Sequence, residues 1–598
     1  MQRREWMAAA GLLAASPWTQ ALPDSAAKSK RKVLRTAFNS AEVGFDPLQV
    51  SDRTSVAVNA HIFESPLTYD LLARPVQLRP QTAAGLPEVS ADFKRFVFTI
   101  RPGIFFADDP VFQGRRRELV AQDYVYTVKR FYDPRLKTEH LYQFENAKIL
   151  GLSELREQAI QHKTTFDYDR EVPGLRALDR YRFEVRLAEP DPRFVHLFAN
   201  ASYTGAVARE VVEAYAEDLL AHPVGTGPFR LKRWRRSSQI VLERNPGFRE
   251  QIYEPGEVPP DAQSQAIAQL LKGRRLPLLD EVQINIIIEP QPHWLAFYGG
   301  ELDLLEMPTE VATLVLPGGQ LAPHLRKRGV QALRSAGATV GFSFFNMDDP
   351  VVGGMAPERV ALRRAIALAY DNEAEIRQVY KGQAVVAQSM LPPLVYGHDP
   401  ELRSELSRPD LARAQALLEL YGYDKRDAEG YRLQPDGSRL TLRRAGTAGS
   451  SRQRQIDELW KKQMDALGLR IEFESATFGE LIKKALAKQL MIWGYFWDMG
   501  APDGDFILGM GYGPNAGQSN DAQFRLHRYD RLYEQQRLLP DGPERWALMQ
   551  QLNRLLLSYM PYQAHNHPLR VDLCQVGVKG FIRHPFTRDG WRFVDSLS

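Results

Sequence analysis

The chain has 598 residues, 44% hydrophobic and 25% charged, with a formal net charge of +4. That balance belongs to a soluble globular chain too long for one core, so two or three domains are expected. So slight a basic excess leaves no footprint for nucleic acid. The single cysteine, Cys574, excludes an intramolecular disulfide, and its apolar neighbours Val571, Leu573 and Val576 predict a buried structural thiol.

In chain order, residues 1–27 read as an export signal: Arg3-Arg4 form a basic start, and Trp6 to Trp18 is an apolar stretch too short to span a membrane. Small residues allow cleavage after Ala21 or Ala27. Arg3-Arg4-Glu5-Trp6-Met7 resembles a twin-arginine signal, and a plain secretory signal fits equally. No cysteine follows it to carry a lipid, so the expectation is an exported protein, free in a Gram-negative periplasm. The basic clusters at Arg115–Arg117 and at Arg233 with Arg235-Arg236 are short and predict solvated faces.

Val33 to Phe38 predicts a strand, and the alternation of Phe96, Phe98 and Ile100 predicts another within 93–101. Val125, Val128 and Phe131 give helical spacing over 120–132, stopped by Asp133-Pro134. Tyr181 to Leu187 alternates again. Then comes His222-Pro-Val-Gly-Thr-Gly-Pro-Phe229, where two glycines between prolines predict a rigid turn able to hold positive φ. Phe229–Trp234, the turn Ser237-Ser238 and Ile240–Leu242 make a hairpin. Residues 249–276, with Pro259-Pro260, read as a polar insertion, and 278–289 as the densest strand signal of the chain.

Beyond residue 290 strands and helices alternate. Val340–Asn346 is a strand, Pro357–Tyr370 a helix, and Asn372 and Glu375 have capping-box spacing for the next helix. Leu440–Leu442, the helix Arg452–Leu467 stopped by Gly468, and the alternating Leu469, Ile471 and Phe473 form a strand–helix–strand crossover, which predicts an α/β lobe. A helix over 544–557 and strands through Cys574 close the chain.

One segment stands out as a site, MIWGYFWDMGAPDGDFIL over 491–508. It puts the carboxylate of Asp498 at the end of an apolar strand, where it needs a partner. Tyr495 and Trp497 are read toward one face, Trp493 and Phe496 toward the other, with core packing and cleft lining both open to these aromatics. His565 and His567 would point the same way on a strand, as metal ligands do. No third ligand can be named, so a surface pair and no metal are expected. Nucleophile-elbow, zinc-protease, phosphate-loop and dinucleotide motifs are all missing from the sequence, and Gly509-Met-Gly-Tyr-Gly513 reads as a flexible loop.

The order PVGTGPF, strand, turn, strand, RNPGF over 223–248 resembles the extracellular solute-binding proteins of family 5, the oligopeptide- and dipeptide-binding subunits of ABC importers. FKRFVFTIRPGIFFADD, VAQDYVYTVKRF and WLAFYGGELDLLE extend the resemblance from about residue 33 to the C-terminus, although the family's usual glycine is missing at Asp109-Pro110. The resemblance implies an α/β, two-lobed periplasmic binding protein of the Venus-flytrap type with an extra subdomain inserted in the first lobe. Its expected divisions are lobe I over 28–60 and 176–289, the insert over 61–175, lobe II over 290–540, and a return to lobe I over 541–598.

It further implies a periplasmic subunit that binds a peptide or peptide-like solute between the lobes and delivers it to an inner-membrane ABC permease. No turnover, cofactor or nucleic acid is expected, and the chain is expected to act as a monomer. A nickel-chelate or haem carrier, or a secreted hydrolase on the same frame, is the alternative. The family pattern G-W-x-x-D-Y-P-D-P-x-x-F-L aligns on Gly494, Asp498, Pro502 and Phe506, with Tyr495 for the Trp and Met499-Gly500-Ala501 for Tyr-Pro-Asp. By resemblance Asp498 takes the ligand's α-ammonium group; an internal pair or a helix cap is the competing role. Trp497, Tyr495, Trp493, Asn39 and Ser40 complete the implied ligand-binding set.

Overall fold

One strand, Tyr562–Cys574, takes part in both halves of a twelve-stranded sheet. The computed structural model describes residues 31–596, so the export-signal reading of 1–27 lies outside the described residues. Residues 562–566 of that strand pair antiparallel with Thr339–Phe345, and residues 569–574 pair with Gln331–Ala336. Gly337 and Ala338 join those two partners. Two antiparallel segments therefore run side by side from one half of the sheet to the other, and the two halves form the two lobes.

The first half is built on Val33–Phe38, which lies parallel to Glu281–Ile286; that strand pairs antiparallel with Gln239–Arg244 of the expected hairpin. Leu304–Glu306 inserts between Val33–Phe38 and the C-terminal strand. A separate four-stranded sheet, Glu88–Val89, Arg95–Thr99, Arg182–Arg186 and Leu175–Ala177, carries the helix Ala121–Tyr132 over a core of Phe96, Phe98, Tyr124, Val128 and Phe183. In the second half, Ile492–Asp498 pairs antiparallel with Thr339–Phe345. Thr441–Thr447 lies parallel to Arg470–Ala476, joined by the helix Ser451–Leu467 with Gly468 left-handed at its end. The expected crossover is present. Among the described residues no helix is long and apolar enough to cross a membrane.

The glycines of the PVGTGP run have another cause than the expected one. Neither takes positive φ. A Cβ on Gly225 would lie 2.0 Å from the Ile62 carbonyl oxygen, and one on Gly227 would lie 2.5 Å from that of His61. The loop is pressed flat on the end of the helix Arg53–Ile62, and only hydrogen fits. The rest of the motif locks it there. Thr226 Oγ1 donates to Glu64 at 3.1 Å, Glu64 accepts both terminal nitrogens of Arg249 at 2.6 and 3.0 Å, and Asn245 Nδ2 donates to the Gly227 carbonyl at 2.9 Å.

Residues 249–276 fold as a unit, in which strands Gln251–Ile252 and Arg275–Leu276 pair and the helix Ala262–Leu271 packs with Leu71 and Leu72. Several other expectations are corrected. Asp371, not Asn372, caps the following helix by accepting from Ala374 N, and Asn372 serves His565. Arg117 is not a solvated charge, being paired with Asp123 and Glu210. Gly509, Gly511 and Gly513 are packed, since a Cβ on each would come within 2.8, 2.6 and 2.9 Å of Tyr533, Tyr529 and Asp530 respectively.

The histidine pair is buried rather than exposed. His565 bonds Ser343 and Asn372 at 2.9 and 3.1 Å, while His567 Nδ1 meets the Thr339 carbonyl at 2.9 Å. Burial pushes their pKa values down to about 3 and about 4. Among the described residues no group of three or more His, Cys, Asp or Glu is arranged to hold a metal ion. Cys574 is a buried free thiol whose pKa burial raises.

Candidate cleft between the lobes

A cavity of about 680 Å³ opens where the two crossing segments join the halves. Its first wall comes from the end of Val33–Phe38 with Asn39, from the helix residue Arg53, and from Glu306 with the turn that follows. The second wall comes from Tyr380, Arg452 and the strand end Phe496, Trp497 and Asp498, and Pro568 to Val571 lie between.

Asp498 is placed by register. It is the last residue of its strand, directly opposite Thr339, the first residue after the crossing. Thr339 Oγ1 donates to its Oδ1, and Arg570 Nη2 reaches its Oδ2 at 3.0 Å. Its side chain is nevertheless 51% exposed, so the carboxylate is partnered and still open to the cavity.

A period of two settles the aromatics. Trp493, Tyr495 and Trp497 share one face, and Phe496 and Asp498 the other. The expected placement of Trp493 beside Phe496 is therefore corrected. Trp493 is 1% exposed and packs on Phe344, Phe478 and Tyr495. Tyr495 donates its hydroxyl to Asp521 at 2.5 Å, inside the second lobe. Trp497 stacks on Phe506 at 4.6 Å and reaches the cavity edge. Asn39 lines the cavity; Ser40 lies behind it, bonded to Thr54 at 3.1 Å. The cleft thus gathers Asp498, Trp497 and Asn39, and leaves Trp493, Tyr495 and Ser40 in supporting positions.

Sequence reasoning missed most of the charged lining. Arg53 pairs with Glu306, which also accepts from Arg583 at 2.9 Å. Burial opposes ionisation of Glu306, but Arg583, Arg53 and Arg570 outweigh it and hold the carboxyl at about 2. Arg583 in turn grips Asp572 at 2.5 Å. Arg452, exposed at the start of its helix, lies over the Tyr380 ring at 5.7 Å, and Tyr380 meets Phe496 edge-on at 6.0 Å. Among the described residues no carboxylate pairs with Arg452. The one signal available beforehand was Phe496, two residues from Asp498 in a strand and so on the same face.

The sequence model of the bacterial extracellular solute-binding proteins, family 5 Middle, matches residues 77–519. The chain is similar to the di/tripeptide-binding protein 2 of Pseudomonas aeruginosa (strain UCBPP-PA14), 24% identical over 579 residues and covering 94% of each chain. It is 21% identical to the dipeptide-binding protein of Escherichia coli (strain K12), over 90% of this chain and 91% of that one. In structure it resembles the ABC transporter-associated periplasmic binding protein DppA from Helicobacter pylori, solved in complex with peptide STSA, with TM-score 0.70, 18% identity and coverage of 95% of this chain and 99% of that chain. The oligopeptide-binding protein AppA from Bacillus subtilis, solved in complex with a nonapeptide, aligns with TM-score 0.67 at 15% identity over 95% of this chain and all of that one.

Proposed function

The chain belongs to the bacterial extracellular solute-binding proteins of family 5, and on that premise we propose that it binds a short peptide in the cleft and hands it to an ABC permease. The observation that carries the reading is the presence of two opposite charges on the second wall of the cavity. Asp498 offers a half-exposed carboxylate for an ammonium group, and Arg452 offers a guanidinium without an acidic partner for a carboxylate. Between them they offer a partner for each charge of a zwitterionic chain. The aromatic surfaces of Phe496, Tyr380 and Trp497 cover what lies between, at low entropic cost.

The mechanism is binding without turnover, by a monomer exported to the periplasm. The proposed lobes divide where the two segments cross, near 337–338 and near 567–568, since Leu304–Glu306 and Gln331–Ala336 pair within the first half while Met549, Leu552 and Leu556 pack with the second. The inserted subdomain then continues through Arg182–Arg186, whose sheet it shares. A ligand that touches both walls favours the closed arrangement by its differential affinity. A carrier of a metal chelate or haem gains no support from His565 and His567, because each is already bonded within the fold.

Native mass spectrometry of the protein purified from its own periplasm, with release and sequencing of what co-purifies, tests the function. Peptides of two to a few residues are expected. A metal chelate or haem recovered in their place contradicts it.

A further inference from the structure

Beside the main cleft lies a smaller cavity of about 90 Å³, sharing Ala37, Phe38, Arg53 and Glu306 with it and lined further by Asp572, Arg583, Thr587 and Arg588. At ~30 Å³ per water it has room for about three waters or for the end of an acidic side chain. Four arginines meet around it: Arg53, Arg570, Arg583 and Arg588. Three carboxylates answer them, Glu306 for Arg53 and Arg583, Asp572 for Arg583, and Asp498 for Arg570. Arg588 is left over: half-buried, it makes no hydrogen bond and no ion pair among the described residues. Arg570 also keeps a buried Nη1 without a partner. Burial first, then Arg570 and Arg53, disfavour the charge on Arg588 and outweigh the attraction of Asp498, lowering its pKa to about 10.

An incoming ammonium group at Asp498 makes this worse. It competes with Arg570 for the carboxylate and adds a positive charge to a cluster already in excess by one. A ligand that brings a negative group along with its ammonium restores the balance. We propose that Arg588, with Arg53 and Arg570 beside it, forms a subsite for an anionic side chain near the amino end of the bound peptide, so that the protein selects acidic first residues. The proposal rests on the peptide-binding reading above and adds a selectivity that reading does not contain. Guanidinium groups suit it because their forked donors match a carboxylate.

The test is calorimetric titration of the full-length mature protein with matched pairs of two to four residues: Glu-Ala, Glu-Ala-Ala and Glu-Ala-Ala-Ala against their Gln counterparts, with inorganic phosphate alone as a separate arm. The expected result is about tenfold tighter binding of the Glu member at the best length, as a charged hydrogen bond provides. In R588Q that ratio should fall to about one, and in R588K most of it should remain. R588Q should also melt no lower than the wild type, because it removes a repelled charge, which separates the effect from misfolding. Equal affinities in the wild type, or a preference that survives in R588Q, overturns the proposal while leaving peptide binding intact. Saturable phosphate binding lost in R588Q, with no Glu preference, makes the site an independent anion site and also overturns it. No binding of any of these peptides overturns the peptide reading and the subsite with it.

Discussion

Asp498 and Arg570 are joined at 3.0 Å across the junction of the two lobes, the first from the end of a second-lobe strand and the second from the strand that returns to the first lobe. The pair puts a carboxylate at the mouth of the cleft at little desolvation cost, since half of its side chain still meets water.

Replacing Asp498 with Asn keeps the shape and removes the charge. Affinity for a tripeptide with a free amino end is expected to fall by about 2–5 kcal/mol, the usual cost of truncating one half of a desolvated charge pair. The same peptide N-acetylated should bind wild type and D498N alike. Calorimetry on the two peptides and two proteins gives the answer, and an equal loss for both peptides contradicts the assignment of the amino end to Asp498.

The Gly225 backbone has no room for a side chain, because its Cβ would meet the Ile62 carbonyl oxygen at 2.0 Å. Gly225→Ala is expected to destabilise the protein by about 3 kcal/mol or more, since backbone must move against backbone. Gly247→Ala is the control: its nearest neighbour would be Asn245 Oδ1 at 3.5 Å, and little change is expected. Urea unfolding of the two variants should separate clearly, and similar midpoints count against the close-approach account.

Glu375 is buried beneath the second-lobe wall, accepting from Tyr370 at 2.6 Å and from Asn566 at 3.0 Å. Burial raises its pKa from 4.5 to about 7, against Tyr370, Arg444 and Asn566. A carboxyl raised in the folded state stabilises fully below its unfolded pKa, and that contribution is lost as pH rises toward about 7. Glu375→Gln should therefore gain on the wild type between pH 4.5 and 7.5, by about 1–3 kcal/mol. His565, His567, His61 and His584, buried neutral with pKa values of about 3 to 4, act in the opposite sense. His567, His61 and His584 are common to both proteins and cancel in the difference, whereas His565 Nδ1 lies 4.0 Å from Glu375 Oε2 and is coupled to it. A difference in thermal midpoint that does not change with pH counts against a titrating Glu375.

Arg193, beside the first-lobe core, donates to the carbonyls of Leu539, at 3.0 Å, and of Arg537, at the end of the second-lobe helix His527–Leu538. A cation at a helix C-terminus is well placed, and here it ties one lobe to the other. Arg193→Ala is expected to speed peptide dissociation by about tenfold, with association changed far less. Stopped-flow tryptophan fluorescence measures both rates, and an unchanged dissociation rate removes the latch.

Most of the frame was legible because local signals agreed with the tertiary result. Val33–Phe38, the 229–244 hairpin and the helix ending at Gly468 are specified by alternation, by turn residues and by a left-handed glycine respectively. Asp498 was found because a charge closing an apolar strand is conspicuous. Trp493 was misplaced beside Phe496 because an aromatic-rich run gives no polar residue to mark the wet face, and only strict alternation assigns it. Arg53, Glu306, Arg570 and Arg588 were invisible for another reason: they lie up to hundreds of residues apart, and only the crossing of two strands brings their charges together. The glycines of the PVGTGP run were recognised, but their cause was not, since a flat approach to a helix end leaves no trace in the sequence.

Small-angle scattering of the mature protein, alone and saturated with a peptide that calorimetry shows to bind, tests the clamp most directly. A smaller radius of gyration in the bound state is the predicted result. A bound peptide that leaves the scattering unchanged contradicts two lobes closing on their cargo.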